Sequence, residues 1–83
     1  MKDRNQAAKE MTLMLLYLLS WEEGPKGMEY RRSWKGYDFG ILDELEEEEL
    51  IYGSHKAKSV ALDASAVEQA KALLKQYGIA EKS

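Results

Sequence analysis

Between Tyr37 and Leu62 the chain changes its hydrophobic period, and that change limits what it can fold into. Ile41, Leu42 and Leu45 fall at helical spacing, Leu50, Ile51 and Tyr52 make a short apolar run, and Val60, Ala61 and Leu62 make a second one. The pattern predicts a helix followed by a small hairpin. Asp38 is the expected N-cap, because a short side-chain oxygen there accepts a free backbone N–H, and the helix is expected to run to about Glu48. Gly40 in its first turn costs up to ~1 kcal/mol relative to alanine. The glutamates at its end oppose the helix dipole. Packing of Ile41, Leu42 and Leu45 must therefore hold it. The tip between the strands, Gly53 to Ser59, reads GSHKAKS: glycine and serine suit a turn, and His55, Lys56 and Lys58 give it positive charge.

Upstream, Asn5 to about Trp21 reads as a first helix without glycine or proline, with Ala8, Met11, Leu15, Leu18 and Leu19 on one face. Leu13, Met14, Leu16, Tyr17 and Trp21 widen its apolar stripe nearly all round, so burial on more than one side is expected. That places Leu13, Met14, Leu16, Tyr17 and Trp21 as dimerisation candidates, with a homodimer covering what a small domain cannot. Packing as the central core helix accounts for the same breadth. Glu22 to Gly27, EEGPKG, contains the single proline and reads as a loop. Met28 to Trp34, MEYRRSW, is expected to form a short second helix, with Met28, Tyr30 and Trp34 inward and Glu29, Arg31 and Arg32 outward. Lys35-Gly36-Tyr37 then makes a tight turn in which Gly36 takes a positive φ. A last helix opens at Asp63 or Ser65, the latter at capping-box spacing from Glu68. It carries Ala66, Val67, Ala70, Leu73, Leu74 and Tyr77 on one face and stops at Gly78, with Ile79 folding back on the last turn.

Eighty-three residues make one domain, residues 1–83, and a chain this short buries only ~60–65% of the surface its unfolded form exposes. There is no cysteine and one histidine, His55, so neither a disulfide nor a Cys/His metal cluster is expected, and no cofactor motif is present. The opening MKDRNQAAKE lacks signal-peptide character, and the apolar run Met11 to Leu19 is shorter than the ~20 residues a membrane span needs. A cytoplasmic protein in a reducing compartment is the expectation. The 12 basic and 15 acidic residues give a net charge of −3, which argues against an indiscriminate nucleic-acid coat but not against a local basic patch. Acids concentrate in Asp43, Glu44 and Glu46 to Glu49; Lys26, Arg31, Arg32 and Lys35 precede that helix and Lys56 and Lys58 follow it.

The segment LDELEEEELIYGSHKAKSVALDASAVEQAKALLKQYG resembles the C-terminal half of winged-helix regulators of the multidrug-resistance and phenolic-acid repressor types. The matching pieces are Leu42 and Leu45, Glu48-Glu49-Leu50-Ile51, the wing His55 to Lys58, and Leu62-Asp63 before the last helix. SWEE at Ser20, SWKGYDFGILDELEE at Ser33 and HKAKSVAL at His55 look like a small bacterial winged-helix family of unknown function. The resemblance implies a mainly α fold with a small β-hairpin wing, a winged helix-turn-helix, and DNA binding in a regulatory or mobile-element setting. Where those regulators have glycine after the helix this chain has Glu49, so a residue with a Cβ occupies a left-handed position at a cost of order 1 kcal/mol, or the helix ends differently.

Double-stranded DNA would then meet Arg31, Arg32 and Lys35 at its phosphates, Tyr37 at the groove edge, and His55, Lys56 and Lys58 from the wing. The acidic surface of Asp38, Asp43, Glu44 and Glu47 points instead to a protein partner, on a dimeric interaction module that does not enter DNA. Trp34, Tyr37 and Phe39 read as core or near-core aromatics. An enzyme is not expected: His55 has no partner implied by spacing, and no phosphate-cradling glycine loop or spaced calcium-ligand pattern is present.

Overall fold

The computed structural model describes residues 2–53 and 56–81. Helix α1 spans Arg4–Leu18; strands β1, Trp21–Glu23, and β2, Tyr30–Trp34, follow; then come helix α2, Phe39–Glu47, strands β3, Ile51–Tyr52, and β4, Ser59–Leu62, and helix α3, Ala64–Gln76. The strands form one antiparallel sheet in the order β1-β2-β4-β3. No helix among the described residues is long and apolar enough to cross a membrane.

Each helix is capped by a short side chain. Asp3 accepts from the Gln6 amide at 2.8 Å, Asp38 from the Ile41 amide at 3.2 Å, and Asp63 from the Ser65 amide at 2.9 Å and the Ser65 hydroxyl at 2.7 Å. These bonds satisfy donors that the first turn leaves open. The Asp38 cap stands where the sequence placed it, and of the two candidates for the last helix Asp63 caps. At the C-terminal end, Gly78 takes φ 72° and the Ile79 amide donates to Leu74, so the expected stop and fold-back both occur.

Leu13 and Leu16 of α1, Leu42 and Leu45 of α2, and Ala66 and Ala70 of α3 pack against Ile51, Val60 and Leu62 on one face of the sheet, with Leu50 between. Along β4 the buried residues are Val60 and Leu62, alternating with Ser59 and Ala61. That is the period of two a one-sided sheet demands. The result is two layers: all three helices cover one face of the sheet, and the other face is left open.

Several expectations are corrected, among them the loop at Glu22 to Gly27, whose Glu22 and Glu23 belong to β1. Met28 to Trp34 does not make the second helix; Tyr30 to Trp34 is strand β2, paired with β1 on one side and β4 on the other, so the short-turn helix pair is absent. Tyr30, Arg32 and Trp34 alternate with Arg31 and Ser33, and only the strand seats the small Ser33 against Val60 at 1% exposure while leaving the large rings outside. Sequential β1 and β2 join through Gly24 and Gly27, both at positive φ; a Cβ on Gly24 would stand 2.8 Å from the Met28 carbonyl oxygen. Gly36 is not among the positive-φ residues.

The first helix ends at Leu18, short of Trp21, and its faces are exchanged relative to expectation. Leu13, Met14 and Leu16 are buried within the protomer and so cannot be its dimerisation surface, whereas Met11, Leu15, Leu18 and Leu19 are exposed. Tyr17 is half-buried against the core and Trp21 lies in β1. A stripe apolar all round has no polar side to mark which half faces inward; the buried half is the one the sheet, α2 and α3 happen to reach.

Candidate functional site

The uncovered face of the sheet carries the aromatics. Register places Trp21 opposite Arg32, Arg32 opposite Ala61 and Ala61 opposite Tyr52, so one row crosses all four strands as Trp21, Arg32, Ala61, Tyr52. The rows on either side are Glu23 with Tyr30, and Trp34 with Ser59. Trp34 is 61% exposed, and Tyr30 and Tyr52 are nearly half exposed. Trp21 and Trp34 touch diagonally across the β1–β2 pair, ring centroids 5.2 Å apart and planes tilted by 50°. The small Ser59 and Ala61 leave the middle of this face flat.

Arg32 is fixed in the centre. Its guanidinium donates to the Ser59 hydroxyl at 2.9 and 3.1 Å and to the Ser59 carbonyl at 3.1 Å, and Nε lies 3.3 Å from the Glu23 carboxylate. Beyond Trp34 the Lys35 amide donates to the Lys58 carbonyl at 3.1 Å, which brings the Lys35 and Lys58 positions together at the tryptophan end of the sheet. Lys56 and Lys58 are exposed in the β3–β4 connection. Glu23, beside Tyr30, marks the opposite, acidic end.

The other expected contact residues part company. Arg31 faces the helical layer: it donates to the Ser20 hydroxyl and, at 3.1 Å, to the Ser20 carbonyl, and stacks 5.6 Å over the Tyr17 ring. It therefore closes the α1–β1 junction and does not reach the open face. The Tyr17 hydroxyl in turn donates to Glu81; that bond, then partial burial, holds the phenol above its usual range. Tyr37 is half-buried against the core, as a near-core aromatic. His55 lies outside the described residues. Trp34 and Phe39, expected near the core, are exposed.

The acids of α2 belong to the helical layer. Asn5 donates to Glu44 at 3.1 Å, and Lys9 pairs with Glu48, a bond that raises the Lys9 pKa; Asp43, Glu46 and Glu47 are exposed. A cleft of about 370 Å³ opens beside α3, where Glu22, Glu29 and Glu68 are mixed with Arg31 and Lys71. Its charges are mixed, with the acids in excess by one, and Arg31 is already committed to Ser20.

The aromatic row was missed by reading Met28 to Trp34 at helical period. The period-two spacing of Tyr30, Arg32 and Trp34 is the signal for the β2 part of this face, since it puts those three on one side of a strand.

No curated protein and no solved structure matches the chain. Residues 4–80 match the model of a domain of unknown function, DUF6429, and span every helix and strand described above. The chain belongs to the DUF6429 family.

Proposed function

We propose that this protein binds unpaired nucleic acid on the open face of its sheet. The observation that carries the reading is the exposed aromatic surface of Trp34, Tyr30 and Tyr52 around a pinned Arg32, bordered by Lys35, Lys56 and Lys58. Unpaired bases offer faces that stack on aromatic rings, each stack worth ~1–3 kcal/mol, and their phosphates suit a lysine border. Net charge does not oppose this, because the α2 acids lie in the helical layer behind the sheet. A regulatory role of the kind expected from the sequence would then run through single strands or loops.

The test is a tryptophan fluorescence titration with a mixed-sequence single strand at low and at higher salt. Stacking on Trp34 quenches emission, and replacing Lys56 and Lys58 by glutamate weakens binding and flattens its salt dependence. Unchanged emission at low salt sinks the proposal.

A second reading keeps duplex DNA as the partner, read by α2 with the β3–β4 hairpin as its wing, although a strand and not a helix precedes α2. It is supported by the order α2, β3, β4 with Lys56 and Lys58 in the hairpin, which is that of a reading helix and its wing. It requires α2 to enter a groove with Asp43, Glu46 and Glu47 exposed to phosphates, which is repulsive. A duplex competing better than the single strand in the same titration selects it.

A further inference from the structure

We infer that Glu23 and Arg32 read the edge of a guanine stacked on Tyr30, so that the open face selects single strands carrying an unpaired guanine. The inference rests on the single-strand proposal above and names the base that the face prefers.

Across the β1–β2 pair Tyr30 stands directly opposite Glu23, and Arg32 follows two residues along the same side of β2. Directly opposed side chains start only ~4.5–5.5 Å apart at Cβ. The Tyr30 ring packs over Gly24, where an added Cβ would stand 3.0 Å from Cε1, and this keeps the ring at the Glu23 end of the face. A base stacked there meets a carboxylate and a guanidinium at its edge. Solvent reaches both: the Glu23 side chain is 45% exposed and that of Arg32 23%.

Hydrogen-bonding capacity decides which base fits. Arg32 commits Nε and Nη2 to Ser59, and Nε also to Glu23, whereas Nη1 takes part in none of these contacts. Glu23 makes its 3.3 Å contact through Oε2, and a carboxylate has about four lone-pair sites, so both of its oxygens can accept again. The pair therefore offers one donor nitrogen beside two acceptor oxygens. Guanine matches it, with adjacent N1–H and N2–H donors and a single O6 acceptor on one edge. Cytosine reverses the pattern, with one donor group and two acceptors, and adenine and thymine present only one donor group each. A carboxylate taking both guanine donors makes a bidentate, charge-assisted contact. The Lys35 and Lys58 positions lie at the far, tryptophan end, so base reading and phosphate contact fall on different parts of the face.

Fluorescence anisotropy of the full chain with a labelled oligothymidylate tests this, the strand carrying one central guanine, inosine, cytosine or adenine. At low salt the guanine strand should bind at least about fivefold tighter than the cytosine or adenine strand, the lower end of what a bidentate base contact discriminates. Inosine keeps O6 and N1–H but lacks the N2 amine, and should lose most of that gain. Glu23→Gln, whose amide offers one acceptor oxygen in place of two, should bring the guanine and adenine strands to the same affinity with unchanged far-UV circular dichroism. Equal affinity for all four strands overturns the inference and leaves the single-strand proposal standing. So does inosine binding as tightly as guanine, or a guanine preference that survives Glu23→Gln in a folded chain. Binding by none of the strands overturns both.

Discussion

Glu49 at the end of α2 holds the same left-handed backbone state as Gly78 at the end of α3, φ 61° against φ 72°. Both helices close with the same pair of bonds: the Leu50 amide donates to Leu45 and the Glu49 amide to Glu46, as Ile79 does to Leu74 and Gly78 to Lys75. Only Gly78 is free of the Cβ clash that state imposes. Replacing Glu49 with glycine should therefore stabilise the fold by about 1 kcal/mol, less the greater chain entropy glycine brings to the unfolded state. Thermal unfolding should show a midpoint up to several degrees higher, since ~1 kcal/mol moves a domain of this size by ~4–8 °C. Gly78→Ala should move it the other way. A lower midpoint for Glu49→Gly would contradict the strain assigned to Glu49.

Asp63 caps α3 and stands 3.2 Å from the Tyr52 hydroxyl, which also donates to the Glu49 carbonyl at 2.9 Å. The Ser65 hydroxyl and amide hold the Asp63 carboxyl below its ordinary value of 3.8, and the Tyr52 phenol is raised by desolvation and by the Asp63 charge. A depressed carboxylate contributes stability above its unfolded pKa, and that contribution is lost as pH falls through the folded one. The acid limb of stability below about pH 4 should be steeper in the natural chain than in Asp63→Asn. Coincident limbs would remove Asp63 from the account.

The two faces of α1 should respond oppositely to truncation. Leu16 is fully buried, so Leu16→Ala should cost ~2–5 kcal/mol in chemical denaturation. Leu15→Ala, measured at a concentration where the chain is monomeric, should change stability by no more than ~0.5 kcal/mol. Equal losses would mean that the stripe is buried within one chain.

Trp34→Ala should separate binding from folding. The ring is mostly exposed, so the fold should persist with the midpoint lowered by a few degrees through loss of the Trp21 contact, whereas loss of one stacked base is worth roughly a tenfold drop or more in single-strand affinity. Fluorescence anisotropy of a labelled strand reads the second effect. Unchanged affinity with an intact fold would exclude Trp34 from the site.

Some of this was legible before the structure. The Asp38 cap, the strands at Ile51 and Val60, the stop at Gly78 and the awkward Glu49 all follow from local chemistry, in which one residue type fits one backbone state. Tyr30 to Trp34 did not, because MEYRRSW satisfies a short helix and a short strand equally and only pairing with β4 decides it. The sheet platform was invisible for the same reason: Trp21 and Tyr52 share one face only because β2 pairs with the distant β4, which sets Arg32 beside Ala61. Arg31 and Arg32 look equivalent in sequence, yet the pleat sends one to Ser20 and the other to Ser59.

The most direct measurement of the central proposal is a backbone and side-chain NMR titration of the full chain with a mixed-sequence single strand at low salt. The proposal predicts shifts at Tyr30, Arg32, Trp34 and Tyr52 and at Lys35 and Lys58, fading as salt rises, while the α1 stripe stays still. Shifts confined to α2, or a sheet face that does not respond, would contradict it.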